Sequence, residues 1–225
     1  MTSGVKKRKL TGVVLAAGFS SRMKGWKMEI SIKGRPLLYY TLRPMLEVCE
    51  NIIVVGGYSI ERLSVLVGNI CTAEDAGKEK IRLIKNEDFQ KGMFSSVKSG
   101  LEVVDKSSEA VFIMPGDIPF VSLSTYTMLI NLLEEKTDKD VIFPTTLINL
   151  EGGGVRWKKG HPVLLRNSVR EAVINNPNEA VFREVLKPLS FELCPVSDGG
   201  ICFDIDDETD LHHALSYIES SYKYP

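Results

Sequence analysis

Four short runs in this chain are apolar at every consecutive position or nearly so: Gly12–Leu15, Ile52–Val55, Ala110–Met114 and Val141–Phe143. A strand with one wet face alternates apolar and polar residues. These runs do not alternate, so both faces of each strand must be covered. Between them lie stretches with apolar residues at helical spacing, at Pro36–Val48, Ile60–Val67, Ser95–Val104 and Ser122–Glu135. Pro36 suits a first helical turn, and Ser122 suits an N-cap. A further strand is expected at Ile81–Ile84. This rhythm predicts an α/β fold, Rossmann-like, with a mostly parallel sheet and helices on both faces.

After about residue 144 the pattern changes. Leu150–Val155, with three glycines in a row, reads as a hairpin or flap, and His161–Leu165 as a strand. Two helices should flank Asn176-Pro177. Short strands are expected at Phe191–Pro195 and Ile201–Ile205, and a last helix from about Glu208 to Ser220. There is no linker-like stretch and no internal repeat. Residues 1–225 therefore read as a single domain, in which about 144–225 lay hairpin and lid elements against about 10–143.

Composition sets limits on partners. The 225 residues are 44% hydrophobic and 25% charged, as in an ordinary water-soluble fold, and the net charge of −1 gives no field to hold nucleic acid or an anionic membrane. Lys6-Lys7-Arg8-Lys9 reads as a solvated terminus. No apolar stretch reaches spanning length, and Leu10–Ala17, which contains Thr11 and Gly12, is too short for a secretory signal core. The expectation is a cytoplasmic protein without a nucleic-acid or membrane partner. Cys49, Cys71, Cys194 and Cys202 form no C-x-x-C pair and have no histidine at zinc-ligand spacing, so reduced thiols are expected.

The first strand ends in Leu15-Ala16-Ala17-Gly18, and Arg22, Lys24 and Lys27 follow. Neither G-x-x-x-x-G-K-[ST] nor G-x-G-x-x-G occurs. What remains is a loop whose small residues let backbone N–H groups approach a ligand, with Arg22 and Lys27 supplying charge at the carboxyl end of a parallel strand. An ordinary strand-to-helix turn with solvated lysines fits the loop equally well when it is taken alone.

Further blocks decide between these readings. L-A-A-G-x-S-S-R-M with Lys27 and Gly34-Arg35-Pro36-Leu37-Leu38 is followed by Gly92–Leu101, Met114-Pro115-Gly116-Asp117-Ile118-Pro119, Gly160-His161-Pro162-Val163-Leu164 and Asp204-Ile205-Asp206 ahead of Asp210-Leu211. In this order, over nearly the whole chain, the blocks resemble the MobA-like nucleotidyltransferases, and most of all the molybdenum-cofactor cytidylyltransferases that serve molybdenum hydroxylases. The resemblance implies a nucleotide-diphospho-sugar transferase-like fold. It also implies transfer of CMP from CTP to molybdopterin cofactor with release of pyrophosphate, Mg²⁺ as cofactor, and transient contact with a hydroxylase. About 10–143 would then be a nucleotide-binding half and about 144–225 an acceptor-binding half.

The residues suit that chemistry. An acceptor phosphate is already an anionic nucleophile, so alignment and charge neutralisation do the work and no general base is required. The chain has three histidines and no serine or cysteine with an evident base. By resemblance, Arg22, Lys27 and Asp117 are the catalytic residues, with Arg22 and Lys27 on the triphosphate and Asp117 on Mg²⁺. Leu15, Ala16, Ala17, Gly18, Gly92 and Ser96 would line the nucleotide, with the Ala16-Ala17 pair matching the cytidine-using branch. Gly92 and Ser96 fit equally as a loop and the first turn of a helix. Asp204 is the natural second metal carboxylate, while Asp206, Asp207 or Glu208 could cap the last helix. Lys159 and His161 follow Arg156-Trp157 and would face the acceptor; a solvated hairpin uses the same residues. Two departures stand out: Lys24 precedes Gly25 where the family has glycine, and Met28-Glu29-Ile30 replaces a more apolar stretch. The rivals are guanylyl transfer from GTP, a sugar or polyol phosphate acceptor, and a non-catalytic cofactor-binding maturation chaperone. Loss of Asp117, Arg22 or Lys27 would favour the chaperone, and all three are present.

Overall fold

The structure, a computed structural model, describes residues 8–19, 25–74, 77–150 and 152–220. Its centre is a mixed sheet in which β1 (Leu10–Ala16) lies parallel between β4 (Asn51–Gly56) and β6 (Ala110–Pro115), with β5 (Ile81–Lys85) parallel beyond β4. On the other side β9 (Val163–Arg166) runs antiparallel to β6 and to β7 (Val141–Asn149). Strand β10 (Phe191–Pro195) is parallel to β7 at the sheet edge, and β8 (Val155–Lys159) folds back antiparallel on the far end of β7. A two-residue ribbon, β2 (Ser31–Ile32) with β3 (Arg35–Pro36), leads into the first long helix.

Successive residues of β1 explain why the strand runs do not alternate. Val14 joins one buried cluster with Val54, Phe112 and Met114, beneath α1 (Leu37–Val48), α2 (Ile60–Ala73) and α5 (Leu123–Glu135). Val13 points the other way, with Val55, Val111 and Ile113, beneath α4 (Met93–Glu102) and two short helices, α6 (Arg170–Ile174) and α7 (Phe182–Leu186). Each such side chain contributes about 1.5–3 kcal/mol when fully buried. The short helix α3 (Gly77–Lys80) precedes β5, and α8 (Glu208–Ser220) closes the described chain. No helix among the described residues is long and apolar enough to cross a membrane.

The expected elements form, several strands and one helix with longer bounds, and one element changes type. The apolar run Ile201–Ile205 is not a strand; Gly199–Cys202 make a 3-10 turn. The buried carboxylate of Asp198 caps that turn through the Gly200 amide at 2.9 Å, and it also accepts from the Ser122 amide and the Thr125 hydroxyl at 2.9 and 2.6 Å. A local cap that also ties down the start of α5 outcompetes an extended run with no ladder partner. The strand expected from His161 begins at Val163, because the Gly160 and His161 amides donate to Pro144 and Ile201 carbonyls outside the β6–β9 ladder. Pro36 ends β3 and immediately precedes α1. Gly152, Gly153 and Gly154 all have positive φ, and Leu150 donates to the Gly154 carbonyl, so the β7–β8 connection is a hairpin. Residue 144 falls inside β7, and strands from both sides of it share the sheet.

Candidate active site

The carboxyl ends of β1 and β6 open into a cavity of about 380 Å³. Leu15, Ala16, Ala17, Gly18, Lys27, Gly92, Ser96 and Asp117 all line it. The fold thus brings eight of the residues singled out in the sequence to one place. Arg22 and Lys24 lie outside the described residues.

Lys27 is 8% exposed, an unusual setting for an ammonium group. Its Nζ lies 3.3 Å from Asp117 Oδ2 and also donates to Asp206 Oδ1. In the 3-10 turn Lys27–Glu29 that carries it, Lys27 sits between buried Trp26 and Met28. Glu29 pairs with Arg62, whose guanidinium stands 5.5 Å from the Trp26 ring centre. The departure Met28-Glu29-Ile30 therefore supplies an anchor for this turn.

Asp117 is half-buried. Burial raises its pKa above the usual carboxylate value and the Asp206 charge adds to this, while Lys27 opposes it. Its turn is pinned on three sides. The Gly116 amide donates to the Leu15 carbonyl at 2.9 Å, and the buried Thr41 hydroxyl donates to the Gly116 carbonyl at 2.9 Å. The Ile205 amide donates to the Asp117 carbonyl at 3.0 Å.

That last bond decides which carboxylate of the 204–208 stretch reaches the site. Asp207 caps α8, accepting from the Thr209 and Asp210 amides at 2.8 and 3.0 Å, and Asp210 accepts from the Asp206 and Asp207 amides in return. Such reciprocal capping leaves the Asp206 side chain for Lys27. Asp204 is exposed and makes no hydrogen bond or ion pair among the described residues. The structure brings Asp206, which the sequence offered as a helix cap, to Asp117; it does not bring Asp204 there.

The opposite wall is built on Gly92, whose φ of 114° a side chain would strain, and on the start of α4. Asn86, 2% exposed, donates to the Ser95 and Ser96 hydroxyls at 2.8 and 3.0 Å. Its own amide donates to the Gly56 carbonyl, so it couples the end of β4 to the cavity wall. Sequence reasoning missed Asn86, which sits in the polar run Lys85-Asn86-Glu87-Asp88 and looks solvated there.

Lys159 and His161 do not line this cavity. Lys159 Nζ stands over the rings of Phe143 and Phe191, 4.3 and 4.0 Å from their centres, and burial lowers its pKa. His161 has a buried Nδ1 with no hydrogen-bond partner, and burial pushes its pKa down to about 4 against the opposing influence of the Ile113 backbone and Asp204. It is a neutral imidazole near pH 7.

Oxygen donors paired on one side of the cavity suit a hard divalent cation of the Mg²⁺ type, which takes one or two carboxylates and completes its shell with phosphate oxygens and water. Among the described residues no group of three or more histidine, cysteine, aspartate or glutamate side chains is assembled for a metal, and all four cysteines are free. The buried ammonium of Lys27 already shows that these carboxylates are arranged around positive charge.

The fold and the cavity define an α/β protein with a candidate ligand site at the carboxyl ends of its parallel strands. Residues 12–193 match the MobA-like NTP transferase domain, and the chain belongs to that family of nucleotidyltransferases. It is 26% identical over 199 residues to the molybdenum cofactor cytidylyltransferase of Escherichia coli K12, an alignment covering 88% of this chain and 92% of that one. It is also 26% identical over 211 residues to the nicotine blue oxidoreductase of Paenarthrobacter nicotinovorans, covering 92% and 96%. In fold it is similar to the 4-diphosphocytidyl-2C-methyl-D-erythritol synthase of Anaerococcus prevotii, with a TM-score of 0.70 at 17% identity over 95% of this chain and 99% of that one.

Proposed function

We propose that this nucleotidyltransferase moves CMP from CTP to the phosphate of molybdopterin cofactor in the cytoplasm, with Mg²⁺, and hands the product to a molybdenum hydroxylase. An acceptor phosphate oxygen bonds to the α-phosphorus, the bond from that phosphorus to the bridging oxygen breaks, and pyrophosphate leaves with the electron pair. The observation that carries this reading is Lys27, desolvated between Asp117 and Asp206 beside the Ala16-Ala17-Gly18 loop. If the two carboxylates hold Mg²⁺, the charge of that ion together with Lys27 would neutralise and orient a triphosphate without any proton-transfer group.

In this reading Lys27 and Arg22 hold phosphate oxygens, and Ala16 and Ala17 leave the backbone open to the nucleobase. Asp117 would hold Mg²⁺ with Asp206 as its companion, in place of Asp204. Bound there, the ion would supply charge neutralisation on the phosphates. Lys159 and His161 would act on the acceptor side. Support for CTP comes from the cytidylyltransferase named above, which this chain matches over most of both lengths.

Pyrophosphate release from CTP, GTP, ATP and UTP, each with and without molybdenum-loaded molybdopterin, tests the proposal. Release that needs both CTP and the pterin is the expected result. GTP preference would make it a guanylyltransferase. Turnover with a sugar or polyol phosphate alone would replace the acceptor, and no release with any pair would favour a maturation chaperone. Reduction of nicotine blue by an added electron donor, with no nucleoside triphosphate or pterin present, would favour the activity for which the second relative is named.

A further inference from the structure

The same cavity is also lined by side chains whose chemistry differs from that of Lys27 and Asp117. Phe19, Phe89, Gln90 and Met93 line it. Phe19 directly follows Gly18, and the residue is 51% exposed. An aromatic ring held open beside a cavity rather than packed into the core needs support, and this one has it on two sides. Its centre lies 5.1 Å from that of Tyr58 and 5.2 Å from that of Phe89, both in tilted contact. These neighbours are themselves fixed. The Tyr58 amide donates to the Ala17 carbonyl at 3.2 Å. A Cβ on Gly57 would come within 2.5 Å of Phe89 and 3.0 Å of the Ala17 methyl, so only glycine lets the end of β4 bring Phe89 against the loop.

Gln90 is exposed at this rim, and its carboxamide makes no hydrogen bond among the described residues. It offers one acceptor and two donors in a plane. Met93, also exposed, adds a polarizable thioether. A flat apolar face and a planar polar group, in a cavity that also presents charge, match the base and the phosphates of a nucleoside triphosphate.

We propose that Phe19, braced by Tyr58 and Phe89, is the nucleobase-stacking residue of this enzyme and that Gln90 hydrogen-bonds the edge of the stacked base. The inference rests on the reading that the cavity takes a nucleoside triphosphate. It goes further in assigning base recognition to side chains of the loop rim, apart from the charged residues that hold phosphate. Stacking tolerates any base, so the directional part of recognition falls to the Gln90 carboxamide.

The test separates base from phosphate by calorimetry with Mg²⁺, using CTP and inorganic tripolyphosphate as paired probes. Phe19→Ala should weaken CTP binding roughly five- to 150-fold, the range for one base–aromatic stack, and leave tripolyphosphate unchanged. Phe19→Tyr should restore CTP binding, and Gln90→Leu should weaken CTP alone by about two- to tenfold. Unchanged CTP affinity in Phe19→Ala overturns the inference. So does equal weakening of both probes, which would mean that the ring only shapes the phosphate loop. If the unaltered protein binds CTP no better than tripolyphosphate, base recognition is absent and the inference falls, while the phosphate-holding reading stands. If it binds neither, the functional reading itself fails.

Discussion

The two ends of the sheet treat their charged residues differently. Around β1 and β6, polar groups are buried or half-buried and held in place: Asp117 through three bonds to its turn, Ser96 through Asn86, and Lys27 between two carboxylates. At the β7–β8 hairpin and β10, large apolar side chains stay exposed, with Leu147 opposite Trp157 across the ladder and Trp157 58% exposed. The one lysine expected to act there rests its ammonium on two phenylalanine rings. The first end is organised before any ligand arrives. The second is an edge whose charge is occupied by its own aromatic neighbours, so any role in holding an acceptor requires Lys159 to exchange ring faces for ligand oxygens.

Mutations can break this contrast, beginning with the prebuilt end. Asp117→Asn should lower transfer by two orders of magnitude or more while the thermal midpoint stays near its original value, since the side chain faces a cavity rather than the core. Near-normal turnover at saturating Mg²⁺ would remove Asp117 from the reaction. Lys27→Met should reduce CTP affinity and turnover together by roughly ten- to 200-fold, the loss of a charged hydrogen bond of ~1.5–3 kcal/mol. A fall in stability without any change in CTP binding would make Lys27 a structural counter-ion for Asp117 and Asp206.

At the exposed edge the effects should be smaller and of another kind. Lys159→Met should raise the acceptor KM several-fold and leave CTP affinity untouched if the lysine leaves its rings on binding. If its place is only structural, stability should drop by ~0.5–2 kcal/mol with both substrates unaffected. A separate effect concerns pH. His161 binds its proton less readily folded than unfolded, so the stability it contributes is present above the ordinary histidine pKa of about 6.5 and is lost as pH falls toward its folded value of about 4. The thermal midpoint should decline across that window, and His161→Gln should flatten the decline. An unchanged slope would place the titration elsewhere.

The same contrast separates what was legible in the sequence from what was not. The unbroken apolar runs through Val13-Val14 and Val111-Phe112-Ile113 required a sheet covered on both faces, because each consecutive side chain needs its own apolar partner layer. Ser122 as a cap and the triple glycine as a hairpin turn were likewise readable, since such bonds close within a few residues. The loop, the lysine and Asp117 were legible through the resemblance of their motif blocks in series, since the loop taken alone fits an ordinary turn equally well.

Asn86 and Asp206 were not. Asn86 matters through a bond to the end of β4 and two to the start of α4. The sequence favours Asp204 because it leaves an expected strand at Ile201–Ile205, a strand that does not form, while Asp206, two residues on, reads only as a helix cap. The choice is made by Ile205 bonding to the Asp117 carbonyl and by Asp207 taking the cap of α8, which together deliver Asp206 to a lysine 179 positions earlier in the chain. Periodicity and capping are set by neighbours in sequence, so the amino-acid order determines them directly. Which of two adjacent carboxylates meets a distant ammonium depends on how β1, β6 and the 204–208 loop pack, and only the assembled sheet decides that.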